Sequence, residues 1–182
     1  MGLLSKLFGG EKKSHPYCTA LVPAAGASSR MEGQDKLFVY LSGIPVLARS
    51  LQALDQCDLI DEIVVATRQE SILKVSDLCR DYGIQKPLKI VEGGATRAES
   101  VLKAALQAST DADFFAVHDG ARPLVEQTTI KAVIECAYRC AAAAPAAAVK
   151  DTIKIAYDGV VDRTPDRAAL FAVQAPQVFD AS

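Results

Sequence analysis

Apolar positions along this chain switch between two spacings, and the switching predicts its elements in order. Cys18 to Val22 is an apolar, partly β-branched run bounded by Pro23, which predicts a buried strand that stops at the proline. Val46, Leu47, Leu51 and Leu54 recur at helical spacing and predict a helix over Ile44–Leu54. Asp61–Ala66 is again β-branched and predicts a second strand. Ser71–Tyr82 returns to the helical period and ends at Gly83, a residue suited to close a helix. Pro87–Val91 predicts a third strand, Ala95–Ala108 a third helix and Asp113–Val117 a fourth strand. Glu126–Ala143 predicts a long helix ending near Pro145. Strands alternating with helices in this way predict an α/β fold, a Rossmann-like, twisted, mostly parallel sheet with helices on both faces. Right-handed crossovers would gather the carboxyl ends of the strands on one edge, where such sheets bind ligands.

The texture changes after Ala146. Ala147–Ala156 and Val160–Arg163 read as two strands joined by Asp158-Gly159, so a hairpin arm over about 147–171 is expected to project from the core. The exposed edges of such an arm need cover, either from a second subunit or from its own sheet. The alanine-rich stretch Ala141–Ala148 is read as tight helix–sheet packing. At the other end, Met1–Tyr17 reads as a flexible leader. Its Leu3, Leu4, Leu7 and Phe8 are too few to span a membrane, and Lys6 breaks the myristoylation pattern. The expected organisation is a leader over 1–17 and one domain over 18–182.

Composition narrows the function classes. A length of 182 residues sustains one domain with a real core, and a formal net charge of −2 offers no nucleic-acid or membrane surface. Five cysteines, without a CxxC pair and with only two histidines, argue against a disulfide framework or a zinc site. A reducing cytoplasm fits this usage.

Candidate chemistry lies in the loops after the strands. Pro23, Ala24, Ala25, Gly26, Ala27, Ser28 and Ser29 have side chains small enough to leave backbone N–H groups open to an anion. Arg30 and Lys36 set two cations beside them, as a polyphosphate requires. The spacing matches neither the P-loop nor the dinucleotide fingerprint, and an ordinary turn between strand and helix is the plain alternative. In Glu92–Ser100 the glycines expose backbone to a flat base, while Arg97 and Ser100 supply donors. Thr96 with Glu99 three residues on also spells a capping box. In His118–Pro123, Asp119 at a strand end beside phosphates suits Mg2+, and Arg122 can clamp a second phosphate. An Asp119–Arg122 turn salt bridge is the plain alternative there. His118 is read as a packing or hydrogen-bonding residue.

Pro23–Met31 followed by Asp35-Lys36 resembles the signature loop of nucleotidyltransferases that couple an NTP to a sugar or polyol phosphate. With Gly93–Val101, His118–Pro123 and Lys150–Lys154 following in order, the chain resembles the 2-C-methyl-D-erythritol 4-phosphate cytidylyltransferase family of non-mevalonate isoprenoid synthesis. The resemblance runs from about Thr19 to Phe179. It implies transfer of CMP from CTP to the polyol phosphate with release of pyrophosphate. It implies Arg30, Lys36 and Asp119 as catalytic residues, with Asp119 also on Mg2+. It puts Pro23, Ala24, Ala25, Gly26, Gly94, Ala95, Arg97 and Ser100 on the nucleotide, with Gly94, Ala95 and Ser100 at cytosine. Arg122, Thr152 and Arg167 fall to the polyol phosphate, Arg167 reaching a partner subunit's substrate in a homodimer built through the arm.

Some positions depart from the family pattern. Ser28 replaces a common glycine, Ala95 a frequent acidic residue, and Ala175 in Gln174–Phe179 the usual threonine. Family members also continue past the position of Ser182 with a further metal-binding aspartate and a phosphate-binding lysine. The resemblance therefore carries an expectation of slow turnover for these 182 residues. The alternatives are ribitol 5-phosphate as acceptor, a related transferase such as a molybdopterin guanylyltransferase, and a nucleotide-binding or dimerising module with little activity. Ala121 before Arg122 leans towards methylerythritol phosphate.

Overall fold

The computed structural model describes residues 15–26 and 35–182. The first half of the chain forms β1 (Cys18–Ala24), β2 (Tyr40–Leu41), β3 (Ile44–Pro45), α1 (Val46–Asp55), β4 (Glu62–Thr67), α2 (Ile72–Asp81) and β5 (Leu88–Glu92). There follow α3 (Arg97–Ala105), β6 (Phe114–Val117), α4 (Gln127–Cys140), β7 (Ala142–Ala143) and β8 (Ala146–Ala148). The chain closes with β9 (Ile155–Tyr157), β10 (Val160–Arg163), β11 (Phe171–Val173) and β12 (Gln177–Asp180). Among the described residues no helix is long and apolar enough to cross a membrane.

The central sheet has the order β5-β4-β1-β6-β12-β7. Its first four strands are parallel, and β12 runs antiparallel between β6 and β7. β1 lies inside the sheet and is buried at every position but Pro23, which explains why it reads as an apolar run without polar alternation. Side chains along it point alternately to two cores. Ala20 and Val22 meet Leu47, Leu51, Ile130 and Ile134 from α1 and α4, with Val75 and Leu78 of α2 in the same cluster. Leu21 meets the other cluster, with Val64, Val117 and Ala104 of α3. Helices therefore cover both faces, as the alternation of elements predicts.

At the amino ends of the strands, buried Glu62 ties three segments together. Its Oε2 accepts from Thr19 Oγ1 at 3.0 Å and from the Ser109 N–H at 2.8 Å, and its Oε1 lies 2.8 Å from Lys89 Nζ. Burial pushes this carboxyl up, but those three donors outweigh it and hold it below its usual range.

Five local expectations are corrected. β1 does not end at the proline but runs one residue past it, to Ala24. β6 pairs with β1 only as far as Leu21, so the missing N–H of Pro23 faces a side where the ladder has already ended. There the Pro23 carbonyl accepts from the Gly120 N–H at 3.3 Å. The first helix starts at Val46, because Ile44-Pro45 pair with Tyr40-Leu41 as β3 and β2.

The long helix ends at Cys140, where Ala141 takes a left-handed φ of 64° and turns the chain out of the helix. Ala142–Ala143 then pair with β12, and Ala146–Ala148 with Phe171–Val173. The alanine run is thus mainly strand, not helix–sheet packing. Finally, the arm is two short ladders instead of one long hairpin. Its tip, β9 with β10, turns at Asp158 (φ 50°) and Gly159 (φ 80°), the paired positive angles that a two-residue hairpin requires. The leader expected over 1–17 lies outside the described residues as far as position 14.

Candidate active site

The loops after β1, β5 and β6 meet at the carboxyl edge of the sheet and enclose a cleft of about 490 Å³. Pro23, Ala24, Ala25 and Gly26 form one wall; Gly94, Ala95, Arg97 and Ser100 form the second. Lys36, Asp119, Ala121 and Arg122 complete it. These include most of the residues singled out from the sequence, drawn from segments far apart along the chain. Arg30 lies outside the described residues. Thr152 and Arg167 sit on the arm and do not line this cleft; there Arg167 Nη1 donates to the Lys150 carbonyl at 3.0 Å.

The second wall has its shape because two glycines admit the first turn of α3. A Cβ on Gly93 would come within 2.5 Å of Ala25 Cβ, and one on Gly94 within 2.2 Å of Glu99 Cβ. Thr96 caps α3, its Oγ1 accepting from the Glu99 N–H at 3.1 Å, while Glu99 Oε2 accepts from the Thr96 N–H at 3.3 Å. This is the capping box that the spacing predicts. Ser100, 2% exposed, accepts from the Gly94 N–H at 3.0 Å and donates to the Thr96 carbonyl at 3.0 Å. Its hydroxyl is engaged inside the loop and fixes the backbone that the cleft presents. Lys103 Nζ adds a bond to the Gly93 carbonyl at 2.8 Å, a contact that sequence reasoning missed.

Lys36 opens a short 3-10 turn over Lys36–Phe38, capped by Asp35, whose Oδ1 accepts from the Leu37 N–H at 3.1 Å. Asp35 is itself paired with Arg68. The turn sets Lys36 on the wall of the cleft.

Asp119 lies between two arginines. Arg97 Nε donates to its Oδ1 at 2.8 Å and Arg122 Nε to its Oδ2 at 3.0 Å. Burial pushes the Asp119 carboxyl up, and the two guanidiniums outweigh burial and leave it below the ordinary carboxylate range. The turn salt bridge weighed as a plain alternative is therefore present, extended to Arg97. Two arginines sharing one carboxylate leave a net positive charge facing the cleft, and Lys36 lines the same cleft. His118 is fully buried, and its Nε2 donates to the Arg122 carbonyl at 3.1 Å. Burial pushes its imidazole pKa below the ordinary value. It anchors the Asp119–Arg122 turn, in keeping with its reading as a hydrogen-bonding residue.

Gln174 is a second contact missed from sequence: its Oε1 accepts from Arg122 Nη1 at 2.7 Å. The sequence separation of these two residues carries no local signal, since only the docking of β12 beside β6 brings them together. Among the described residues, the assembled site offers walls of small residues, three cations and one carboxylate. That set suits a nucleotide's phosphates together with a second phosphate.

A family model described as 2-C-methyl-D-erythritol 4-phosphate cytidylyltransferase matches residues 18–182. A curated protein of that name from Dehalococcoides mccartyi is 42% identical over 163 residues, covering 89% of this chain and 71% of its own length. One from Bacillus anthracis is 38% identical over 165 residues, covering 90% and 73%. Among solved structures, the 4-diphosphocytidyl-2C-methyl-D-erythritol synthase from Anaerococcus prevotii superposes with a TM-score of 0.80 at 27% identity. That alignment covers 91% of this chain and 70% of the other. The cytidylyltransferase from Thermus thermophilus gives 0.68 at 30% identity over 91% and 71%. A cleft assembled from the motif loops, in a fold shared with these proteins and under a family model spanning 18–182, leads to one conclusion: this chain belongs to the 2-C-methyl-D-erythritol 4-phosphate cytidylyltransferase family.

Proposed function

We propose that the protein transfers CMP from CTP to 2-C-methyl-D-erythritol 4-phosphate, forming CDP-methylerythritol and pyrophosphate in isoprenoid biosynthesis. The observation that carries this reading is the convergence of Pro23–Gly26, the glycine loop and the Asp119–Arg122 turn on one cationic cleft. The acceptor is a phosphate monoester and already anionic at neutral pH, so it needs no activating base. One of its oxygens forms a bond to the α-phosphorus of CTP, and the bond from that phosphorus to the bridging oxygen of the β-phosphate breaks. The work left to the protein is alignment and neutralisation of charge developing around phosphorus.

In this reading Lys36 and Arg30 hold the triphosphate, Arg30 on the strength of the motif alone. The Gly94–Ser100 loop takes the cytosine, with Arg97 on the nucleotide side. Arg122 clamps the acceptor phosphate, helped by Thr152 and by Arg167 from a neighbouring copy. Asp119 keeps Arg97 and Arg122 facing each other across the cleft.

Mg2+ belongs to the proposal as the ion that would neutralise the triphosphate. No group of three or more His, Cys, Asp or Glu among the described residues could cage an ion, so the residues fit it only with phosphate oxygens as most of its ligands. Asp119 is the carboxylate of the cleft that would join them, and it would exchange an arginine contact to do so. We also propose a homodimer formed through the arm, supported by exposed Tyr157, Val160, Phe171 and Val173. The proposed compartment is the cytoplasm, in line with cysteines that are all free thiols.

The test is pyrophosphate release from CTP with methylerythritol phosphate or ribitol 5-phosphate as acceptor. The reading expects the first to be preferred and CTP to be used over GTP and ATP. Equal or better use of ribitol 5-phosphate, or of a purine nucleotide, overturns it.

A further inference from the structure

Gln174 stands where the arm returns to the sheet. It follows β11 directly, its N–H donates to the Pro145 carbonyl at 2.8 Å, and its Nε2 donates to the Ala172 carbonyl at 3.3 Å. Its Oε1 accepts from Arg122 Nη1 at 2.7 Å. These partners assign the amide, because only its oxygen can accept from a guanidinium and only its nitrogen can donate to a carbonyl. Arg122 is held at two more points, by Asp119 Oδ2 on its Nε and by His118 Nε2 on its carbonyl. A guanidinium held at both Nε and Nη1 is restrained against rotation, and its other donors stay available to an oxyanion.

The chemistry of residue 174 matters as much as its place. Asp119 already divides its charge between Arg97 and Arg122. A second carboxylate would cancel the excess positive charge that attracts a phosphate. A neutral amide fixes the same nitrogen and leaves the charge intact.

We infer that Gln174 is a positioning residue for the acceptor phosphate: it locks the Arg122 guanidinium in the cleft and ties that orientation to arm strand β11. This rests on the proposed role of Arg122 at the acceptor.

Two variants test it on the full chain. Gln174→Met keeps the length of the side chain and removes the acceptor oxygen; Gln174→Glu keeps an oxygen and adds a charge. The first readout is rotation of the Arg122 guanidinium by nitrogen-15 NMR, with its signal assigned by Arg122→Lys. The second is the KM of each substrate. Rotation is expected to be slow in the wild type and in Gln174→Glu, and fast in Gln174→Met. The KM for methylerythritol phosphate should rise about tenfold in Gln174→Met, as loss of one charge-assisted contact implies, with the KM for CTP changed less than twofold. Gln174→Glu should also raise the acceptor KM although the guanidinium stays locked, which a purely structural role would not produce. Unchanged rotation in Gln174→Met, or a parallel rise in both KM values, overturns the inference. If ribitol 5-phosphate or a purine nucleotide is used as well or better, the proposed function fails, and the rotation measurement still confirms or overturns the lock itself.

Discussion

Arg97, the first residue of α3, reaches across the cleft to Asp119, Nε to Oδ1 at 2.8 Å. This bond joins the glycine loop after β5 to the turn after β6, so the proposed nucleotide and acceptor sides share one carboxylate. The same carboxylate holds Arg122 through its other oxygen, at 3.0 Å. Electrostatics here depends on sharing. Either arginine alone would be neutralised by Asp119, whereas the two together remain cationic.

Asp119→Asn should therefore loosen both arginines at once. A neutral amide can still receive one of them but no longer holds two charged groups apart in fixed positions. We expect kcat/KM to fall by about ten- to hundredfold, the effect of losing one or two charge-assisted contacts. Steady-state pyrophosphate release measures this, alongside circular dichroism to show an unchanged fold. Activity within twofold of the wild type would remove Asp119 from the site's working parts.

Stability should respond to pH through Glu62. Its carboxyl lies below the ordinary value of 4.5 in the folded protein, despite the opposing effect of burial, because Lys89, Ser109 and Thr19 bond to it. The unfolded chain then binds the extra proton first. The stabilising contribution is complete above the unfolded pKa and is lost as pH falls through the lower folded one. Glu62→Gln should destabilise the protein by about 1–3 kcal/mol near neutral pH. It should also flatten the loss of stability below about pH 4.5. Urea unfolding at several pH values checks both; an unchanged acid limb counts against Glu62 as its source.

The arm should be the contact between two copies. Tyr157 is 67% exposed and Val160 71%, on a two-stranded ladder too small to bury them itself. Light scattering at micromolar concentration should report a dimer, and Val160→Asp should shift it towards monomer without lowering the helical signal. A monomeric wild type would sink this reading, and Arg167 would then lose its place at a partner's acceptor.

The amino-acid sequence determined most of the parallel core. β1, β4, β5 and β6 and the helices between them follow from two local periods, and their loops carry the small residues, glycines and charges that later meet in the cleft. Such features are legible because they depend on neighbours within a few residues: a glycine for close approach, a Thr96–Glu99 cap, an Asp158-Gly159 turn. Strand pairing depends on distant partners instead. Nothing local in Gln177–Asp180 says that it runs antiparallel to β6, nor that Ala146–Ala148 leave the expected hairpin to pair with Phe171–Val173. Pro23 reads as a stop signal and is tolerated within β1 only because β6 has ended beside it. The sharing of Asp119 by Arg97 and Arg122, and the grip of Gln174 on Arg122, exist once the sheet has closed. Residue type supplied those charges and amides; the long-range register of the sheet decided which of them touch, because a hydrogen bond needs its partner within about 3 Å and local sequence does not fix that distance.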